Sequence, residues 1–203
     1  HQEGDVLTHS FKSLHDMPEK WASLELCWAV FLHDIGKPGK FELRPDRIHF
    51  NGHAELSAQI AREILNRLKF TKAQINKITW LIDHHMTVGF IPKMKRVHQV
   101  NLFLHPWFED LMRLHWCDEN GSIPINLNLY KKIMKLYEDF KDQKLLEDHF
   151  KPKLNGDEIM KLTSLPPGPK IQELLHALRE AQIEGEVNNK KEAKEFVKKQ
   201  ITT

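Results

Sequence analysis

The sequence predicts an all-α fold, on three observations. Apolar residues recur at intervals of three and four, not two, through most of the chain, which is the period of a helix buried along one face. Strand-like alternation is nearly absent. Residues that start or stop helices, among them Pro18, Gly36, Thr71 and Pro106, punctuate the apolar runs. With 203 residues and 40% hydrophobic content, one or two packed domains form without disulfide staples, because a chain of this length buries about two-thirds of its unfolded surface.

The elements follow in order. A first helix runs from Asp5 to His15. A second is expected from Pro18, a residue suited to a first turn, to Asp34, where Gly36 ends it. Leu24, Cys27, Trp28, Phe31, Leu32 and Ile35 wrap most of its circumference, so it is the expected central helix. Residues 37–52 hold Pro38, Gly39, Pro45 and Gly52 and read as a loop, with a short hairpin of Phe41–Leu43 against Arg47–Phe50. A third helix spans His53–Leu68, with Ala54, Ala58, Ala61, Leu65 and Leu68 on one stripe. Thr71 caps a fourth that runs to Met86. Pro106 begins a further helix that ends near Asn120 and Gly121. Leu129, Ile133, Leu136, Tyr137 and Phe140 mark another, and Lys151-Pro152-Lys153 reads as a linker. The tail shows Gly156-Asp157-Glu158-Ile159, the turn Pro166-Pro167-Gly168-Pro169, a helix through Gln182 and a last helix opened by Asn188 or Asn189. The expected organisation is residues 1–125 as a first helical domain, 126–153 as connecting helix and linker, and 154–203 as a helical tail.

Composition narrows the function. Cys27 and Cys117 form neither a CxxC pair nor a framework of short spacings, so a reducing cytoplasm is the expected compartment. No run reaches the ~18 apolar residues of a membrane span, and the N-terminus lacks the order of a signal peptide. No membrane partner is expected. A net charge of +2 makes no global case for nucleic acid. Lysines do gather at 190, 191, 194, 198 and 199, where a solvated helix face is the ordinary reading and an RNA contact through Lys194, Lys198 and Lys199 the weaker one. Thirteen histidines are the compositional outlier, and histidine is the commonest metal ligand. The chain opens at His1 without a methionine, and it is expected to be a piece of something longer.

His33 and Asp34 are adjacent at the end of an apolar helix. Burying an ionised aspartate there is costly without a partner, and a divalent cation bound by both groups is an economical one. A His-Asp dipeptide alone proves little, but every neighbouring helix offers a similar group near one end. His9 lies on the first helix, on the side away from Leu7 and Leu14. His53 opens the third, His84 and His85 close the fourth, and Asp118 sits near the end of the helix from Pro106. Of the adjacent pair, His85 continues the stripe of Ile75, Ile78 and Ile82, while His84 points about 100° away. Nitrogen and oxygen ligands without thiolate suit Mn, Fe, Co, Ni or Zn, one or two ions, with Mg also in range. His15, His49, His98, His105, His115 and His149 read as structural or solvated. The five tryptophans Trp21, Trp28, Trp80, Trp107 and Trp116 read as core or half-buried aromatics.

The order His, His-Asp, His, His, Asp, centred on His33-Asp34-Ile35-Gly36-Lys37, resembles the HD superfamily of metal-dependent phosphohydrolases. More narrowly, His1-Gln2-Glu3-Gly4-Asp5-Val6 with Thr8-His9, then His33 through Pro38, Gly52-His53 and His85-Met86, resemble the HD region of bacterial CCA-adding tRNA nucleotidyltransferases and related poly(A) polymerases. The turn at 167–169 and Ala181-Gln182 before Glu184-Gly185 are similar to the C-terminal segment of those enzymes. Gln2 stands where that family usually has proline. No Gly-Ser followed by an Asp-x-Asp pair, the signature of nucleotidyl transfer, occurs in the chain, so nucleotide addition by this chain alone is not expected.

The resemblance implies an HD-type helical bundle. It implies that His9, His33, Asp34 and Asp118 hold one metal, and that His53 and His85 hold a second or contact substrate, Asp34 bridging in the two-metal case. Asp34 and Lys37 are then the catalytic positions, Lys37 meeting a substrate phosphate as a point charge or, in the plainer reading, complementing the helix dipole. Two functions are in play. One is a phosphohydrolase acting on nucleotide or RNA-end phosphoesters, 2′,3′-cyclic ones included. The other is a tRNA-positioning body of a split or truncated nucleotidyltransferase whose N-terminal catalytic domain lies elsewhere. A nucleotide-sensing domain with a decayed site is the third reading, disfavoured by the full ligand set.

Overall fold

A computed structural model of the chain describes residues 5–45, 48–142 and 152–202. The motif residues His1-Gln2-Glu3-Gly4, the hairpin residue Arg47, His149 and Lys151 lie outside these. Ten α-helices occur among the described residues: α1 Val6–His15, α2 Leu24–Leu32, α3 His53–Arg67, α4 Lys72–His84, α5 Arg96–Phe103, α6 Phe108–Gly121, α7 Asn128–Asp142, α8 Gly156–Thr163, α9 Pro169–Ile183 and α10 Lys190–Thr202. The only sheet described is a two-stranded hairpin, β1 Glu42–Leu43 against β2 Ile48–His49, with Glu42 facing His49. The fold is all-α. No helix among the described residues is long and apolar enough to cross a membrane. The chain divides into two compact units: one takes residues up to Lys93 and His105–Met134, the other Met94–Leu104 and residues from Lys135 onward.

In the first unit α2 is the central helix, packed by α1, α4, α6 and α3. Leu26, Ala29 and Val30 have no exposed surface, and burying a side chain of leucine or valine size contributes roughly 1.5–3 kcal/mol. The helix is shorter than expected. Pro18 is extended and leads into a 3₁₀ turn over Glu19–Trp21; the α-helix then restarts where Ser23 accepts the Leu26 N–H (3.2 Å). It also ends sooner. His33 and Asp34 follow the last helical residue, in turns where the Ile35 N–H meets Leu32 O and the Lys37 N–H meets Asp34 O.

Gly36 is not a left-handed cap: its φ is −81°. It is required by close approach, since a Cβ there would lie 2.6 Å from His53 O and 2.7 Å from Ser57 N. Its own N–H donates to Ser57 Oγ (2.8 Å), which fastens the turn after Asp34 to the first turns of α3. The α3 stripe buries Ala54, Ala61 and Leu65, whereas Leu68 is exposed because the helix ends at Arg67. Thr71 and Gln74 form a reciprocal capping box on α4. That helix stops at His84, and His85–Lys93 continues as 3₁₀ turns through Gly89 and Pro92. Pro106 precedes α6, which begins two residues later at Phe108.

The second unit has its own core. Leu154, Ile159, Ile171, Leu174, Leu178 and Val197 are buried together. Asn155 and Glu158 make a second capping box at α8, and Asn189 receives the Lys191 and Glu192 N–H groups at the start of α10. Helix α5, which the apolar pattern did not reveal, belongs here. Phe103 meets the rings of Tyr137 and Phe140, each at 5.5 Å, and the Val97 N–H donates to Glu184 (2.8 Å).

Candidate metal centre

Five elements of the first unit deliver the six expected positions to one place. His9 comes from the middle of α1, His33 and Asp34 from the turn after α2, His53 from the first residue of α3, His85 from just past α4, and Asp118 from the last turn of α6. His9, His33, Asp34, His53 and His85 are buried, and Asp118 keeps 28% of its side chain exposed. A cleft of about 620 Å³ opens over Asp34, His53, His85 and Asp118. Close packing makes this possible at α1 and α6: a Cβ on Gly121 would fall 2.1 Å from Ser13 Oγ and 3.2 Å from His9 Cε1.

Three of the imidazoles are aimed by the backbone. His33 Nδ1 donates to Val30 O (2.7 Å), His53 Nδ1 to Phe50 O (2.8 Å) and His85 Nδ1 to Ile82 O (2.6 Å). A carbonyl only accepts, so Nδ1 carries a proton in each ring and each Nε2 faces inward, the usual arrangement for a metal-ligating histidine. Asp34 stands between them. Its Oδ1 lies 3.3 Å from His53 Nε2 and 3.9 Å from His85 Nε2, while its Oδ2 lies 3.4 Å from His33 Nε2 and 3.9 Å from His9 Nε2. Two groups result, His9-His33-Asp34 and Asp34-His53-His85, each with its donor atoms within 4.8 Å of one another. Asp34 belongs to both. Asp118 Oδ1 approaches His9 Nε2 (2.9 Å) and His33 Nε2 (3.4 Å) on the first side.

The electrostatics are those of a site that wants a cation. Burial raises the Asp34 carboxyl, but His33, then His53 and Lys37, outweigh it and hold the group well below the usual carboxylate range. Asp118 is held down in the same way, burial being outweighed by His33 and His9. Burial presses His33 down, yet Asp34 and Asp118 together raise it to about 10. Burial and the charge on His33 lower His85 to about 4. His33 Nε2 sits beside two carboxylate oxygens and hydrogen-bonds neither. His53 Nε2 and His85 Nε2 face each other at 3.2 Å. With both Nδ1 atoms carrying hydrogens, that contact joins two lone pairs unless a proton or metal ion lies between them. The donor set therefore fits a divalent ion.

Lys37 lines the cleft and pairs with Asp34 Oδ2 at 2.5 Å. It is buried, so it does not act as an exposed cation at a helix end. His84 turns away, stacking on Trp80 at 4.3 Å. All five tryptophans are half-buried, and Lys194, Lys198 and Lys199 lie exposed on α10 in the second unit. The cleft also contains His49, to which the sequence assigns a structural or solvated role, and Asn51, Glu55, Asp83 and Ser122, which it does not single out. His49 and Asn51 flank the Gly52-His53 step, which is the one signal that could have found them.

A helical unit whose buried His-Asp step meets imidazoles from three other helices is the arrangement of a known family: the HD domain model matches residues 6–192, and the chain belongs to the HD domain family. That family falls in the superfamily of metal-dependent phosphohydrolases. The chain is similar to the A-adding tRNA nucleotidyltransferase of Deinococcus radiodurans, 33% identical over 205 residues, covering 96% of this chain and 46% of that protein. It is also similar to the CC-adding tRNA nucleotidyltransferase of Thermus thermophilus, 32% identical over 194 residues, covering 95% of this chain and 43% of that protein. A shorter stretch of 51 residues is 49% identical to the CC-adding tRNA nucleotidyltransferase of Geobacter sulfurreducens, covering 25% of this chain and 12% of that protein. The chain thus spans less than half the length of the relatives it matches.

Proposed function

We propose that this chain is a metal-dependent phosphohydrolase acting on nucleotide or RNA-end phosphoesters, 2′,3′-cyclic phosphates included. The observation that carries the reading is the pair of inward Nε2 atoms of His53 and His85, 3.2 Å apart and next to Asp34 Oδ1. On this reading His9, His33, Asp34 and Asp118 hold one ion. His53 and His85 would hold a second or contact the substrate, and Asp34 would serve both groups in the two-ion case. A divalent ion held there supplies a nucleophile active at neutral pH and neutralises phosphoryl charge. Asp118, on the open side of the cluster, orients the first group toward the cleft. Lys37, already on the cleft wall, offers its ammonium to the substrate phosphate.

The test is hydrolysis of a small panel of phosphomonoesters and 2′,3′-cyclic nucleotides, with Mn, Fe, Co, Ni, Zn or Mg restored to the metal-free protein. His33→Ala and Asp118→Ala should abolish turnover, and Lys37→Ala should chiefly raise KM. Activity without any metal would refute the reading.

The relatives support a second reading. Two tRNA nucleotidyltransferases match nearly the whole chain, so a tRNA-positioning body serving a transferase domain outside this sequence is the alternative. Charge reversal at Lys194, Lys198 and Lys199 should then weaken tRNA binding with a salt-dependent slope and leave phosphoester hydrolysis untouched. Tight tRNA binding with no turnover on any metal would favour this second reading over the first.

A further inference from the structure

A second groove of about 430 Å³ lies between α3 and α4 in the first unit. Glu55 of α3 and Asp83 of α4 line both this groove and the cleft over the metal cluster, so the two cavities meet along one rim. Beyond that rim the lining changes character. Trp80 is sandwiched between His84 (4.3 Å, 18°) and His105 (3.9 Å, 4°), which cover its two faces, and Trp107 meets it edge-on at 5.6 Å, so the rings of His84 and Trp107 are the flat surfaces left to the groove. The amides Gln59 and Asn76 line the same groove. Arg62 is pinned by Thr79 Oγ1 (2.9 Å) and Asn76 Oδ1 (3.5 Å), so its guanidinium is a fixed wall rather than a loose surface charge.

Flat aromatic walls bind a planar heterocycle by stacking, and amides read its edge by paired donors and acceptors. Carboxylates on the rim suit hydroxyls and repel phosphate. Read from the cluster outward, the order is phosphate site, carboxylate rim, then aromatic and amide groove, the same order as phosphate, ribose and base in a nucleotide. We propose that this groove binds the nucleobase of the substrate, with Glu55 and Asp83 accepting from the ribose hydroxyls. For the phosphate end, this rests on the phosphohydrolase reading of the adjoining cluster. The occupancy of the groove itself does not.

The experiment separates the two. Ligand-detected NMR titrations of the whole chain with adenosine, cytidine and ribose involve no phosphoester, so they read the groove whether or not hydrolysis occurs. The nucleosides should bind at least about tenfold more tightly than ribose, the scale of a base stacked on aromatic rings. Trp107→Leu and, on an exposed position that does not threaten folding, Asn76→Ala should each remove most of that difference. Trp107→Phe, which keeps a flat ring, should restore it. Nucleosides that bind no better than ribose, or that bind both variants as well as the parent, would overturn the proposal. Loss of turnover on every metal with nucleoside selectivity intact would instead leave the groove standing and remove the phosphohydrolase reading.

Discussion

Gly36 is the position where one methyl group should cost both stability and metal. Gly36→Ala places a Cβ 2.6 Å from His53 O and 2.7 Å from Ser57 N, where ordinary contact begins at 3.4 Å. Both obstacles are backbone, so no rotamer change relieves them, and the turn after Asp34 must move away from α3 by most of an ångström. Overpacking of this kind costs about 1–3 kcal/mol, and the Gly36 N–H bond to Ser57 Oγ, which cannot survive the shift, adds about 1 kcal/mol. With a urea m-value of about 1–3 kcal/mol/M, the unfolding midpoint should fall by roughly 0.7–4 M, about 1.5 M at mid-range. The obstacle is His53 itself, so the turn that carries Asp34 shifts relative to His53, and metal–ligand distances tolerate only about 0.2 Å. Metal held by Asp34, His53 and His85 should therefore be lost first. Urea titration followed by tryptophan fluorescence and elemental analysis measure the two effects. Ser57→Ala, which loses the hydrogen bond and adds no atom, should cost about 1 kcal/mol and keep its metal. A Gly36→Ala protein with the parent's midpoint and metal content would refute the account of why glycine stands there.

Three further outcomes follow from the same geometry. Asp34→Asn keeps the shape but removes the charge shared by both groups, so the purified variant should contain less than a tenth of the parent's metal by elemental analysis; undiminished metal would place the ions elsewhere. Cys117 is pushed up to about 12, by burial first and then by Cys27 and Asp118. Its thiol is therefore protonated at pH 8 and should resist thiol reagents there until denaturant is added; two rapidly reacting thiols in the native chain would contradict this. Asn155→Ala removes the side chain that receives the Glu158 N–H (2.9 Å), and far-UV circular dichroism in urea should show a loss of about 0.5–2 kcal/mol.

Much of the first unit was legible because its signals are local. The stripe Ile75, Ile78, Ile82 continues into His85, and all four are buried; the same periodicity separates His85 from His84, which faces the second groove. Thr71 announced α4 because a capping box needs only four residues to declare itself. The failures have equally physical causes. Pro18 could open a helix, but Ser23 offers a better cap five residues on, and sequence does not rank the two without the packing of Leu26 against the core. The 3₁₀ run from His85 carries Gly89 and Pro92, which erase the period that reveals a helix. Helix α5 buries only Val97, Val100 and Phe103, and its partners Tyr137, Phe140 and Glu184 come much later in the chain. The ligand candidates were recognisable as a set of residue types. Their convergence depends on Gly36 and Gly121, whose roles as points of contact between segments have no signature in a single sequence.

The hydrogen bonds from His33, His53 and His85 to Val30, Phe50 and Ile82 share one form: each ring is held by the carbonyl three residues before it. Orientation is thus written within four-residue stretches of chain, and only distance between the stretches is left to tertiary packing. Because the anchoring atom is main chain, the side chains at 30, 50 and 82 can change without turning the imidazoles. Sequence drift at Val30 and Ile82 would be filtered by core volume alone, whereas Phe50 also lines the cleft beneath the Lys37 ammonium.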